Sequence, residues 1–294
     1  MKVIQRNRAA AAARPSQGPV RIPAAARSAA QTPYPYKASA GFASWRRSEP
    51  AAHKLGSGGL RLVGPAGLDA PQLLVCFPPA GATAEAFRAW GPALAPDAAV
   101  LAVEYPGRRN RSGEPFAASL GQIAAAVAAD LEALGPARVV LLGHAMGAHA
   151  AYETARRLGD RVPLAGLIAA AAPAPHLHHS VEPLAPPAEV LLAHDQATVA
   201  DYRSTPPGGL TAPLLALTGL GAAAPPLAKV EAWSIYSTDF TGVLIHPGDN
   251  DLAASQPRLM AAVLGFLRGH CAEPAERCVV SPRGTEAAEA AESR

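Results

Sequence analysis

Acidic residues are missing from the start of this chain: nine Lys or Arg occur between Met1 and Arg47, and the first carboxylate is Glu49. Hydrophobic periodicity is missing there too, so the segment cannot bury enough surface to offset its ordering entropy, and a disordered, basic Ala/Pro-rich leader is expected over residues 1–68. The lack of acids imitates an organellar transit peptide, but the alanine run Ala9–Ala13 is no secretory core. Long apolar runs are absent. Leu164–Ala172 ends at Pro173, well short of the ~18 residues of a membrane span, so no membrane partner is expected. Cysteine is scarce, with three in 294 residues, which excludes a disulfide framework and points to a reducing, cytoplasmic setting. Charged residues make up 17% and the net charge is +3, which leaves no footprint for nucleic acid. Aromatics are 5% against 49% hydrophobic residues overall, so the core must be built mainly from Ala, Val and Leu.

What is present alternates. Leu73–Phe77, Ala99–Val103, Val139–Leu142, Leu164–Ala169, Leu214–Thr218 and Gly242–Ile245 read as short buried parallel strands. Helical patterns lie between or after them at Ala84–Leu94, Leu120–Leu134, Met146–Leu158, Leu227–Tyr236 and Pro257–Leu267. This alternation predicts an α/β domain over residues 69–268, with a mostly parallel sheet of about six or more strands flanked by helices. After it, residues 269–294 read as a disordered acidic tail.

The segment with most chemical content is VVLLGHAMG (Val139–Gly147), followed by AHAAYETARRL. A buried strand runs into a turn flanked by Gly143 and Gly147 and then into a helix. That is the layout of the G-x-S-x-G nucleophile elbow, in which the N–H after the central residue, here Met146, helps to form an oxyanion hole. The central residue here is Ala145, and a methyl group cannot attack a carbonyl.

From about Trp45 to Leu267 the chain resembles the type II thioesterases of polyketide and nonribosomal peptide pathways. LLVCFPPAGATAEAFRAW is similar to that family's opening strand and oxyanion loop, VEYPGRRNR to its Y-P-G-R segment, and GHAMGAHAAYETARRL to its G-H-S-M-G helix. APH (Ala174–His176), TGLGAAAP and IHPGDNDLA follow in the family's order. The resemblance implies an α/β-hydrolase fold, a monomer, no cofactor, no metal, and acyl or peptidyl carrier proteins as partners. It also implies that Ala80 and Met146 supply the oxyanion-hole amides.

The family's serine, aspartate and histidine fall on Ala145, Ala222 and Asn250, so no triad role is filled by a competent residue. Three replacements, rather than one, also speak against a substitution made to trap substrate. Pro79 stands where the family has tyrosine, and the stretch between His176 and Leu191 is shorter than the family's helical lid. The strand after the elbow ends AAAAPAP and carries no acid before Glu182. His246, Asp249 and Asp251 are the titratable groups near the missing base, and His246 and Asp249 are the candidates for an alternative acid or base. His149 reads as a surface or packing histidine, and His176, His178 and His179 as a loop cluster without a ligand set. Glu85, Arg88, Arg108, Arg109 and Arg111 read as solvated faces, the arginines offering contact to an acidic carrier. The expected protein is a thioesterase-like carrier binder that has lost hydrolysis. The alternatives are an active thioesterase or esterase with relocated groups, and a cofactor-free lyase or cyclase using the same pocket.

Overall fold

A computed structural model describes residues 54–55, 59–136, 138–178, 189–204, 208–219, 224–246 and 257–269. The expected α/β architecture is observed. Among the described residues eight strands form one sheet: β1 (Lys54–Leu55), β2 (Leu60–Val63), β3 (Leu73–Phe77), β4 (Ala99–Val103), β5 (Val139–His144), β6 (Leu164–Ala170), β7 (Leu214–Gly219) and β8 (Phe240–His246). Their order is β1-β2-β4-β3-β5-β6-β7-β8; β2 pairs antiparallel with β1 and β4, and the other pairs are parallel.

Every residue of β3, β4, β5 and β7 is buried, because both faces of the sheet are covered. Alternate side chains of β3 serve different cores. Leu73, Val75 and Phe77 pack with Val127 and Leu131 of α2 (Leu120–Leu134) and with Tyr152 of α3 (Met146–Leu158). Leu74 and Cys76 pack with Phe87, with Trp90 and Leu94 of α1 (Trp90–Leu94), and with Val263 of the last helix, which spans Pro257–Leu267. Helix α2 starts where the Ser119 hydroxyl accepts the Gln122 N–H at 3.1 Å, and it ends at Gly135 with φ 60°.

Four sequence expectations need correction. Strands β1 and β2 lie upstream of the domain start expected at residue 69, and Leu60 is fully buried against β4. The short strands were concealed by the glycines around them. The helix expected over Ala84–Leu94 is two pieces, a 3₁₀ turn at Ala84–Phe87 and α1, with Thr83 capping the turn and Pro92 inside the helix. The helix expected over Leu227–Tyr236 is likewise divided, into α5 (Leu227–Glu231) and a 3₁₀ turn at Ala232–Ile235. An unexpected helix, α4 (Val190–Ala200), follows the segment read as a shortened lid; α6 is then the Pro257–Leu267 helix. The buried positions of α4 are Asp195 and Thr198, so its inward face is polar and leaves no apolar period to detect. No described helix is long and apolar enough to cross a membrane.

Candidate active site

The chain runs from β3 outward to β4 and then returns past β3 to β5, so the winding direction reverses between β3 and β5. In an open parallel sheet that reversal leaves a crevice beyond the carboxyl ends of the two strands. The residues there are the Pro78–Ala82 loop after β3 and the turn after β5.

That turn is the elbow. Ala145 has φ 50° and ψ −114°, a conformation L-residues rarely adopt. Its N–H donates to the Ala170 carbonyl at 2.8 Å, and its own carbonyl accepts the Ala148 N–H at 3.0 Å. Both flanking glycines are needed because backbone approaches them. A Cβ on Gly143 would run into the Gly147 carbonyl, and one on Gly147 into the carbonyls of Phe77 and Pro78. The expected strand–turn–helix is therefore in place, with a partly exposed methyl at its tip. Met146 is the first residue of α3 and 4% exposed, so its amide belongs to the unpaired first turn of a helix. Ala80 lies in the facing loop. There the Ala82 N–H donates to the Pro79 carbonyl at 3.1 Å and Gly81 has φ +75°, the signature of a type II turn.

Three side chains grip this loop. The Tyr105 hydroxyl donates to the Pro78 carbonyl at 2.8 Å. Arg108 Nη1 donates to the Ala82 carbonyl at 2.8 Å, and Asp195 Oδ2 accepts the Gly81 N–H at 2.8 Å. Arg108 and Asp195 also pair with each other at 2.7 and 2.9 Å, with side chains 2% and 5% exposed. The guanidinium lies 5.0 Å from the centre of the Tyr105 ring. Burial, reinforced by the Asp195 charge, pushes the Tyr105 hydroxyl well above the ordinary tyrosine range, which keeps it a donor.

Arg108 and Arg111 are thus buried, against the expectation of solvated faces. Arg111 Nη1 donates to the Glu104 carbonyl at 2.8 Å, and Nη2 pairs with Glu114 at 2.6 Å. Glu104 is fully buried and pairs with Arg61 at 3.2 Å, while the more exposed Arg109 and Arg88 meet Glu85 at 3.4 and 3.2 Å. Burial raises the Glu104 carboxyl above its usual range.

The histidines are dispersed into packing roles. His149 is 1% exposed and stacks on Tyr202 and Trp233, and its Nε2 lies 3.0 Å from the Pro173 carbonyl. His178 Nε2 is 3.2 Å from the Val199 carbonyl, and His176 Nδ1 is 2.9 Å from the Tyr236 hydroxyl. His246 ends β8 in register with Gly219, the end of β7, at the same sheet edge as the elbow. Asp249, Ala222, Asn250 and His179 lie outside the described residues, as does the side chain of His246. Sequence reasoning missed Asp195 and the placement of Tyr105 and Arg108. The one available signal was the Y-P-G-R segment directly after a buried strand; for Asp195 there was none.

The arrangement can hold a carbonyl near amides but offers no nucleophile at the tip. Residues 72–216 match the family model described as a thioesterase domain. A probable cadicidin biosynthesis thioesterase of Streptomyces griseus is 41% identical over 102 residues, 35% of this chain and 28% of that relative. The chain thus matches less than a third of that curated relative's length. Among solved structures, RedJ, a thioesterase from the prodiginine pathway of Streptomyces coelicolor, shares 30% identity. That match covers 69% of this chain and 96% of RedJ, with a TM-score of 0.63. The type II thioesterase BorB from the borrelidin biosynthetic cluster shares 27% identity over 72% of this chain and 99% of its own, with a TM-score of 0.65.

Proposed function

This chain belongs to the thioesterase family, and from that premise we propose that it binds acyl or peptidyl thioesters of carrier proteins in secondary-metabolite biosynthesis without hydrolysing them. The observation that carries the reading is an elbow with its strained geometry intact and a methyl group where the attacking oxygen belongs. Hydrolysis through an acyl-enzyme needs a nucleophile, a base within about 3 Å of it and a group to orient the base. The positions corresponding to these roles are Ala145, Asn250 and Ala222.

What remains is geometry for recognition. The Met146 amide at the start of α3 and the braced turn around Ala80 suit a thioester carbonyl. In serine hydrolases that lose the triad, such a remnant retains about 10³–10⁴-fold acceleration over water, far below enzymatic turnover. The reading is supported by the similarity to a probable cadicidin biosynthesis thioesterase, a probable anguibactin biosynthesis thioesterase and the type II thioesterase BorB of the borrelidin cluster.

The test uses the purified full chain and a carrier protein loaded with acetyl, butyryl or aminoacyl thioesters. Binding without release of the acyl group is expected, together with no labelling by serine-directed phosphonates. Turnover at rates typical of enzymes would overturn the reading, and so would failure to bind any loaded carrier.

A further inference from the structure

The grip on the loop after β3 joins segments far apart in the chain. Two of the three side chains come from the segment just after β4, but the third, Asp195, comes from α4, more than a hundred residues away in sequence. Its two oxygens close a cycle. Oδ2 accepts the Gly81 N–H at 2.8 Å and Arg108 Nη1 at 2.9 Å, Oδ1 accepts Arg108 Nη2 at 2.7 Å, and Nη1 returns to the loop at the Ala82 carbonyl, 2.8 Å away.

The peptide held in this cycle is the central one of the type II turn. Turns of types I and II differ by a flip of that peptide, which exchanges the places of its N–H and its carbonyl. A flip here would put the Ala80 carbonyl where the Gly81 N–H now meets a buried carboxylate, so the charge on Asp195 selects one orientation. The contact is also close. A Cβ built on Gly81 would lie 3.1 Å from Leu192 Cβ, so α4 packs directly on the glycine. His194, beside Asp195, stacks on Phe116 with ring centres 4.3 Å apart, giving α4 a second attachment.

We propose that Asp195 is a positioning residue: it sets the orientation of the Ala80–Gly81 peptide and so holds the type II turn that carries the Ala80 N–H, which keeps the loop shaped for a carbonyl only while α4 is docked. The coupling itself stands on the geometry alone; its use for a thioester carbonyl rests on the proposed function.

Hydrogen exchange on the full chain tests the coupling. Removing one member of the pair would leave a buried unpaired charge and risks unfolding, so the main variant is the double substitution Arg108→Met with Asp195→Leu, which removes both charges together and puts apolar side chains in their place. Peptides covering 78–84 and 190–200 are expected to exchange at least about tenfold faster, and together, while those of α2 and α3 stay unchanged. Faster exchange at 190–200 with an unchanged 78–84 would overturn the proposal, as would no change at either.

Ligand binding tests the use. The probes are a butyryl-pantetheine analogue with an amide in place of the thioester and the matching S-butyl thioether, which lacks the carbonyl. The native chain should prefer the carbonyl compound by about tenfold, the worth of one good hydrogen bond. The double variant should bind both alike, and Asp195→Asn, which keeps an acceptor for Gly81, should retain part of the preference. An unaltered preference in the double variant would overturn the positioning role. Binding of neither probe by the native chain would count against the thioester reading, while the exchange experiment would still decide the coupling.

Discussion

Replacing His149 with phenylalanine should make the protein less stable at neutral pH and more stable in mild acid. His149 sits on the first turn of α3, its ring 4.9 Å from that of His178, 5.4 Å from Tyr202 and 6.1 Å from Trp233. The Pro173 carbonyl can only accept, so Nε2 carries the proton and donates to it at 3.0 Å. Nδ1 is buried and has no hydrogen-bond partner among the described residues. A charged ring would need a partner at both nitrogens. Burial, and then the neighbouring His178, therefore lower the pKa of His149 to about 3, against a smaller upward pull from the Pro173 carbonyl.

The sign follows from that depression. Above about pH 6.5 the ring is neutral in both the folded and the unfolded chain and contributes no pH dependence. As the pH falls, the unfolded chain takes up the proton first and the folded chain does not. Stability is then lost at about 1.4 kcal/mol per pH unit, reaching about 2 kcal/mol at pH 5, and the loss levels off near the folded pKa of about 3. Phenylalanine keeps the stacked ring but leaves the Pro173 carbonyl unpaired, a cost of about 1–2 kcal/mol at every pH. The two stability curves should therefore cross between about pH 5 and pH 6. Urea unfolding at half-unit steps from pH 7.5 to 4.5 reads this directly. Other titrating groups, such as Glu104, are common to both proteins and cancel in the difference. Parallel curves would refute the reasoning, because they would mean that His149 is protonated as readily folded as unfolded.

The remaining outcomes concern the elbow. Ala145→Ser should fold like the native chain, since a Cβ is already accommodated, and should give no phosphonate adduct, because an unactivated serine is a poor nucleophile at neutral pH. Combining it with Ala222→Asp and Asn250→His is the variant expected to gain measurable thioester hydrolysis. Ala145→Gly should be neutral or stabilising by up to about 1 kcal/mol, as relief of the φ 50° strain offsets added unfolded-state entropy. The same change at the buried helical Ala148 should cost at least about 1 kcal/mol, so equal losses at the two sites in thermal unfolding would refute a strained elbow. Gly147→Ala should destabilise by at least about 2 kcal/mol, since its β-carbon meets backbone carbonyls of Phe77 and Pro78, which cannot rotate away; a native-like melting temperature would contradict that packing.

The residues by themselves determined the strands between Leu73 and Ile245 and the helices α2, α3 and α6. A strand buried on both faces and a long amphipathic helix each leave a local period that needs no knowledge of neighbours. They also determined the elbow, because only a tight strand-to-helix turn requires glycines at Gly143 and Gly147, and they determined that its tip carries a methyl. Short elements were not legible. Strand β2 has four residues, and its burial exists only because β4 lies beside it. Helix α4 turns Asp195 and Thr198 inward, and polar residues become an inward face only when a partner is brought to meet them. For the same reason Arg108 and Arg111 read as solvent-facing in the sequence. Arg108 is buried because the tertiary structure brings Asp195 of α4 onto the loop after β3; Arg111 pairs locally with Glu114, three residues on, and its burial comes from the Glu104 carbonyl and Gly59 packed against its guanidinium.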